Sequence, residues 1–132
     1  MHELVERIRE PELCYVFARN AQRQGHPDLA VQAYRRAVDL RAESYGAENE
    51  AELAAVKAIY AYEEAMSEMR GKRTRATGTW QMVRRVGLLP TLRKRLEANS
   101  QDDVLPALRA LGMEDYSFEA VCRQYPEIAE AA

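Results

Sequence analysis

Residues 47–69 read AENEAELAAVKAIYAYEEAMSEM, and this stretch decides how the rest of the chain can fold. Apolar residues recur along it at the three- and four-residue intervals of an α-helix, in two neighbouring stripes. The first stripe consists of Ala55, Ile59, Tyr62, Met66 and Met69, and the second of Leu53, Val56 and Tyr60. A helix that is apolar over so wide an arc packs on two sides. The pattern therefore predicts a long central helix that bridges the two ends of the chain.

The residues before the central helix predict a helical hairpin preceded by a short amphipathic helix. Helices are expected over residues 2–9, 11–24 and 27–44. Pro11 suits a first helical turn, where its missing N–H leaves no intrahelical hydrogen bond unmade. Gly25 and Pro27 separate the two hairpin helices, because glycine ends a helix and proline opens one. The inner stripe of the first hairpin helix is expected to contain Leu13, Cys14, Phe17, Ala18 and Ala21.

Small and aromatic residues recur in this hairpin at the spacing of a known repeat. The residues concerned are Ala18, Gly25, Ala30, Tyr34 and Ala37. Over residues 11–44 the chain resembles a single tetratricopeptide repeat. It departs from that pattern at the family's first-helix tryptophan, its tyrosine and its closing proline, which are Cys14, Ala21 and Ala42 here. The resemblance implies a helical hairpin, whereas peptide binding would require further repeats.

The residues after the central helix predict a basic loop, from Gly71 to Gly78, followed by short helices. These helices are expected over residues 79–86, 90–98, 104–111 and from about 117 to 124. Candidate N-caps are Thr77 or Thr79, Asp103, and Asp115 or Ser117. Pro126 is expected to end the last helix. The first two short helices, joined by a three-residue turn that contains Gly87, form a helix-turn-helix-like pair.

The fold class that follows is all-α, because no segment has the alternating pattern of a strand. A single domain is expected over residues 1–132. It would contain the hairpin and central helix up to residue 70, and a basic subdomain of short helices over 71–132. The predicted buried anchors that join these parts are Phe17, Tyr34, Ile59, Trp80 and Phe118.

The charge distribution singles out the segment from Arg70 to Leu96. It holds nine of the chain's 19 lysine and arginine residues and none of its 21 acidic residues, although the net charge of the whole chain is only −2. A block of this kind is typical of a polyanion-binding surface. The alternative is a basic face that pairs with the acidic flanks of the same chain.

In the polyanion interpretation, helix 79–86 supports a recognition helix over 90–98. Recognition helices direct side chains at base edges while flanking basic groups bind phosphates. The candidate nucleic-acid-binding residues are Lys72, Arg73, Arg75, Thr77, Thr79, Arg84, Arg85, Thr91, Arg93, Lys94 and Arg95. The last four are expected to point outward. The unpaired N–H groups at the start of helix 79–86, with Thr77 and Thr79, would favour an anion.

Several other residues invite a functional interpretation for which packing or solvation is the simpler explanation. Trp80 could stack on a base, but its phase with Val83 favours the core. Tyr60 and Tyr62 lie on an apolar helix, which also favours packing. The like-charged pairs Glu48/Glu52 and Glu64/Glu68 could serve acid–base chemistry, but a solvated helix face is favoured. The basic loop lacks the GxxxxGK[ST] order and follows a helix, so a phosphate-binding P-loop is excluded.

Composition and residue spacing favour a non-enzymatic protein without a metal or other cofactor. His2 and His26 have no cysteine or histidine at metal-binding spacing. Cys14 and Cys122 are expected to be buried, reduced thiols, as in cytosolic proteins. No apolar run could span a membrane, and the N-terminus lacks the apolar region of a secretory signal. A cytoplasmic location is therefore expected.

Two hypotheses of function follow. The first is a nucleic-acid-binding protein that uses residues 70–95, with double-stranded DNA as the preferred target. The second is a helical adaptor for protein–protein interactions, whose basic segment binds an acidic partner. The sequence also leaves a homodimer open. The first hypothesis requires salt-sensitive binding, and the second would be favoured by an exposed apolar groove beside Tyr34.

Overall fold

The structure is a computed structural model that describes residues 2–99 and 101–131. In these residues the chain forms nine α-helices and one short 3₁₀ turn, Glu114–Tyr116, and no strand. The helices are α1 (Glu3–Glu6), α2 (Pro11–Arg23), α3 (Pro27–Tyr45), α4 (Glu50–Arg70), α5 (Thr77–Val86), α6 (Leu88–Glu97), α7 (Leu105–Ala110), α8 (Phe118–Gln124) and α9 (Pro126–Ala129). The predicted all-α fold class is confirmed.

The central helix α4 bridges the two parts of the fold, as its wide apolar arc predicted. Helices α2 and α3 form the hairpin, and α3 packs against α4. On its other side α4 contacts α6, α7 and α8, while α5 packs against α6. The largest core cluster runs along this side of α4. Its fully buried members include Ile59, Leu92, Leu108, Met113, Phe118 and Ile128.

Helix ends are fixed by local chemistry that the sequence indicated only in part. Helix α4 begins three residues later than predicted, because the side chain of Asn49 accepts a hydrogen bond from the Glu52 amide at 2.9 Å. Ser117 caps α8, as expected, by accepting from the amide of Ala120. Helices α5 and α7 have no side-chain cap, so the predicted caps Thr77, Thr79 and Asp103 are wrong.

Two prolines take different positions from those predicted. Pro126 was expected only to end α8, yet it is the first residue of α9, a position that proline tolerates because no intrahelical N–H is required there. Pro90 was expected to open α6, but α6 begins at Leu88. Gly87 alone therefore separates α5 from α6, in place of the three-residue turn.

The predicted anchors differ in how deeply they are buried. Ile59 and Phe118 are fully buried, which confirms both. Phe17, Tyr34 and Trp80 are only partly buried and pack at the edges of the core clusters. Leu13, which was assigned to the inner stripe of α2, is 53% exposed. One of the two core clusters of the hairpin contains only alanines, Ala18, Ala21, Ala30 and Ala33, and the partly buried Phe17 and Tyr34 pack against it.

Both cysteines are buried and neither forms a disulfide. Burial raises the pKa of the Cys14 thiol from 9.0 to about 11. The folded chain therefore holds this proton more tightly than the unfolded chain does. The resulting stabilisation is full below about pH 9 and is lost as the pH rises through about 11.

We expect the free energy of unfolding, measured by urea titration, to fall between about pH 9 and about pH 11. The tyrosines Tyr15 and Tyr116, whose pKa values burial also raises, contribute in the same direction at higher pH. The control is Cys14→Ala, in which the fall over this interval should be smaller than in the wild type. An identical fall in both proteins would contradict the assignment of the effect to Cys14.

No helix in the part of the chain that the structure describes combines the length and the apolar character needed to cross a bilayer.

Candidate functional site

The basic segment, residues 70–96, occupies the end of α4, a loop over 71–76, and helices α5 and α6. The loop is fixed to the last turns of α4 through Ser67. The Ser67 hydroxyl accepts from the Thr74 amide at 2.9 Å and donates to the Glu63 carbonyl oxygen at 2.8 Å. The first part of the basic segment is thus held in a definite position.

Glu64, on α4, holds the loop in place through hydrogen bonds. Its side chain is about 1% exposed, and its carboxylate accepts a hydrogen bond from the Tyr15 hydroxyl at 2.5 Å. Arg73 donates to both oxygens of the same carboxylate, at 2.9 Å and 3.0 Å. The Arg73 guanidinium also lies 4.3 Å from the centre of the Tyr15 ring. This two-point pairing fixes the orientation of Arg73 as well as its charge, and it joins the loop to α2 and α4.

Glu63 makes a second set of connections. It is fully buried and accepts from Arg41 Nη2 at 2.9 Å. Its other oxygen accepts from the Ala76 amide at 2.9 Å and from the indole N–H of Trp80 at 2.8 Å. Glu63 therefore connects α3, the loop and the first turn of α5.

The residues Tyr15, Arg41, Glu63, Glu64 and Arg73 form one ion-pair cluster, which we call the buried ion-pair cluster because both of its carboxylates are buried, although Arg73 remains half exposed. Two carboxylates face two guanidinium groups, so the formal charges cancel. The Tyr15 hydroxyl accepts from both arginines, at 3.3 Å and 3.2 Å. Burial, and then the charge of Glu64, raises the pKa of Tyr15. Burial alone would lower the pKa of Arg73, but its hydrogen bonds to Glu64 and the charges of Glu64, Tyr15 and Glu63 together outweigh that effect and raise the pKa.

Glu64 was predicted to lie with Glu68 on a solvated helix face, and for Glu64 this prediction is wrong. Glu68 is exposed, whereas Glu64 is covered by Tyr15 and Arg73. The burial of Glu63 was not predicted. A signal for its burial existed, because it falls three residues after Tyr60 and so continues the second apolar stripe of α4.

The candidate threonines do not lie together on one surface. Thr77 is exposed, but Thr79 is 2% exposed and Thr91 is fully buried. The Thr91 hydroxyl donates to the carbonyl oxygen of Gly87, the residue that precedes α6, at 2.7 Å. The expectation that Thr91 points outward is therefore wrong, and Thr79 is likewise removed from the accessible surface.

Helices α5 and α6 are folded together more closely than a DNA-binding helix-turn-helix. A side-chain carbon added at Gly78 would lie 3.5 Å from Arg95 Nη2, so the last turn of α6 lies beside the first turn of α5. Measured from Gly87, Arg95 lies about 12 Å along α6 and Gly78 about 13.5 Å along α5. The two helices of a DNA-binding helix-turn-helix cross at about 90–120°. At such an angle, Gly78 and the backbone of Arg95 would be further apart than an arginine side chain reaches.

The remaining cations of the segment fall into two groups. Arg93 pairs with Glu97 at 3.3 Å, one turn along α6, and Arg95 folds back over α5. The other group is exposed, and within residues 2–99 and 101–131 its side chains make no ion pair. This group consists of Arg70 and five of the candidate residues, Lys72, Arg75, Arg84, Arg85 and Lys94.

The aromatic residues support packing rather than base stacking. The Trp80 ring lies 5.1 Å from that of Tyr60 and 5.7 Å from that of Tyr45, and its N–H is bonded to Glu63. Tyr62 packs against Phe118 at 5.6 Å between ring centres. The faces that could receive a base are thus occupied by neighbouring rings.

The histidine, cysteine and carboxylate side chains of the described residues form no group of three or more that could hold a metal ion. Burial of Cys14 and Cys122 keeps both thiols from solvent.

No family model, no curated protein and no solved structure matches this chain. The resemblance to a tetratricopeptide repeat therefore rests only on the spacing of residues in the α2–α3 hairpin.

Proposed function

We propose that the protein binds nucleic acid through the exposed cations of the basic segment, with double-stranded DNA as the preferred target. The observation that carries the proposal is the state of Lys72, Arg75, Arg84, Arg85 and Lys94. All five are exposed and make no ion pair in the part of the chain that the structure describes. A set of unpaired cations in a segment without carboxylates attracts a phosphate backbone and releases its counterions.

The geometry favours contacts with phosphates over contacts with bases. Reading base edges requires several side chains that project together into a groove. On α6, Thr91 is buried and Arg93 is paired, which leaves Lys94 as the exposed cation of that helix. Binding should therefore depend weakly on sequence and strongly on ionic strength.

The adaptor hypothesis has less support. It would be favoured by an exposed apolar groove beside Tyr34. The groove at that place is lined largely by charged residues, including Arg19, Glu68, Lys72 and Arg73. Its chemistry fits a charged ligand better than the apolar face of a partner helix.

The test is an electrophoretic mobility shift assay with mixed-sequence DNA and RNA at several salt concentrations. If about four cations reach phosphates at once, log K should fall against log salt with a slope of about −3 to −4. Raising the salt from about 50 mM to about 200 mM should then weaken binding about 100-fold. The absence of a retarded species with both polymers at low salt would overturn the proposal.

A further inference from the structure

The structure presents one guanidinium group that is fixed in place and still accessible. The side chain of Arg73 is 51% exposed, although it is bonded to a buried carboxylate. An arginine carries five N–H donors. Two of those of Arg73 are used on Glu64 and one on Tyr15. Two donors therefore remain for a ligand, on a group whose orientation is already set.

Two open grooves lie on either side of this guanidinium. Both are lined by Tyr15 and Arg73, so these two residues form the ridge between them. The larger groove, of about 440 Å³, is also lined by Arg19, Lys72 and Tyr34. The smaller, of about 340 Å³, is lined by Arg41, Thr74 and Arg75. Grooves of this size suit a small organic ligand.

The charge around the ridge favours an anion. Glu64 is already neutralised by Arg73 and Arg41, so it does not repel a ligand as a free carboxylate would. The exposed cations that line the two grooves are Arg19, Lys72 and Arg75, against the exposed carboxylates of Glu12 and Glu68. In the larger groove the Tyr34 hydroxyl makes no hydrogen bond to any residue that the structure describes. It is available to donate to an anion.

We propose that these two grooves form one site that binds the phosphate group of a nucleotide, with Arg73 as its fixed centre and Arg19 and Lys72 as flanking contacts. The donors that remain on Arg73 are the Nε–H and one Nη1–H, each of which can donate to an anion oxygen, while Arg19 and Lys72 supply the flanking charge. Because Glu64 and Tyr15 hold the group in advance, little side-chain entropy is lost on binding. The inference rests on the proposed function for its choice of phosphate as the anion. The phosphate could belong to a free nucleotide or to a nucleic-acid strand.

The site is tested by following backbone amide signals of the full chain by NMR during titration with inorganic phosphate, adenosine monophosphate or a short single-stranded oligonucleotide. A dissociation constant of about 1 mM is expected for the monophosphate, as is usual for a small, open site. The shifted signals should belong to the loop over 71–76, to Arg19 and to Tyr34. No shift with all three ligands, or shifts confined to other surfaces, would overturn the proposal.

Substitutions at the rim distinguish a site from general attraction to charge. Arg19→Ala and Lys72→Ala remove exposed side chains that make no ion pair within the described residues, so the fold should survive. Each should weaken binding of the monophosphate about 10-fold, the usual effect of losing one charged hydrogen bond. The matched control is Arg9→Ala, an exposed arginine that lines neither groove. Equal weakening by all three variants would contradict a defined site.

The arms of the titration separate this inference from the function on which it rests. If the protein binds duplex DNA in a salt-sensitive manner but its amide signals do not shift with the monophosphate, the inference is overturned and the proposed function stands. A response to the monophosphate that depends on Arg19 and Lys72, without any binding of DNA or RNA, would support a free-nucleotide site and overturn the proposed function. An oligonucleotide that the monophosphate displaces would assign the phosphate to a strand.

Discussion

Replacing Glu63 by alanine is expected to lower the free energy of unfolding by about 4 kcal/mol, the usual effect of removing one partner from a buried ion pair. The carboxylate is fully buried and receives hydrogen bonds from Arg41, Ala76 and Trp80. Its removal takes away the nearer of the two carboxylates that pair with Arg41, at 2.9 Å, and leaves the more distant contact with Glu64, at 3.5 Å. It also leaves a backbone N–H and an indole N–H without acceptors. Since small domains are stable by only about 5–15 kcal/mol, this loss is a large part of the total.

A urea titration followed by circular dichroism at 222 nm (the wavelength of the helical signal) measures the effect. Glu68→Ala is the matched control, because Glu68 lies on the same helix and is exposed. That substitution should change stability by less than about 0.5 kcal/mol. A loss below about 1 kcal/mol for Glu63→Ala would show that the buried ion-pair cluster does not stabilise the fold.

A second variant keeps the prediction testable if Glu63→Ala does not fold. Glu63→Gln retains oxygen and shape but removes the charge opposite Arg41. Its amide oxygen can still accept from Trp80 or Ala76, so the expected loss is smaller, about 2 kcal/mol. A glutamine variant less stable than the alanine variant would contradict this account of the site.

The helices could be predicted from the sequence because each depends on neighbouring residues. The apolar stripes of α4 and the Gly25–Pro27 turn act over at most a few residues, and both gave the observed elements. Errors at helix ends arose where two local signals competed. The start of α4 was placed too early because alanine and glutamate favour helix on both sides of Asn49, and only the cap decides where it begins.

The buried ion-pair cluster could not be predicted in the same way, because its partners are far apart in the chain. Glu64 bonds to Tyr15 over 49 residues, and Glu63 to Arg41 over 22. A charged residue within an apolar stripe signals burial, but the sequence does not reveal which opposite charge will reach it. For the same reason, the sequence does not show which cations of the basic segment form ion pairs within the chain. Arg73 forms one, whereas among the described residues cations such as Arg75 do not.

The geometry of α5 and α6 could not be predicted from the sequence for a different reason. Glycine at position 87 indicates a turn, but not how many residues the turn contains. Here Gly87 has a φ of 98° and completes the connection alone. Helix α6 consequently starts two residues earlier than predicted, which agrees with the burial of Thr91 and the return of Arg95 over α5.

Removing the exposed cations of the segment together is expected to abolish most nucleic-acid binding. In the variant Arg75→Ala, Arg84→Ala, Arg85→Ala and Lys94→Ala, affinity for duplex DNA at about 50 mM salt should fall at least about 100-fold. The slope of log K against log salt should flatten by about 3, since each phosphate contact contributes about 0.9. These side chains are exposed and unpaired among the described residues, so stability should change little.

The matched control removes the same number of charges elsewhere, so net charge alone cannot explain a difference. It replaces Arg7, Arg9, Arg109 and Arg123 by alanine, all of which are exposed and lie outside the basic segment. Three of them pair with a nearby carboxylate, Glu3, Glu114 or Glu119, which cancels their field. DNA affinity should fall less than about threefold in this control. Equal losses of affinity in the two variants would show that binding depends on net charge and not on this surface.

The alternative is that the basic segment only forms ion pairs within the chain. In that case the first variant should lose stability, and the wild type should show no salt-sensitive binding of nucleic acid.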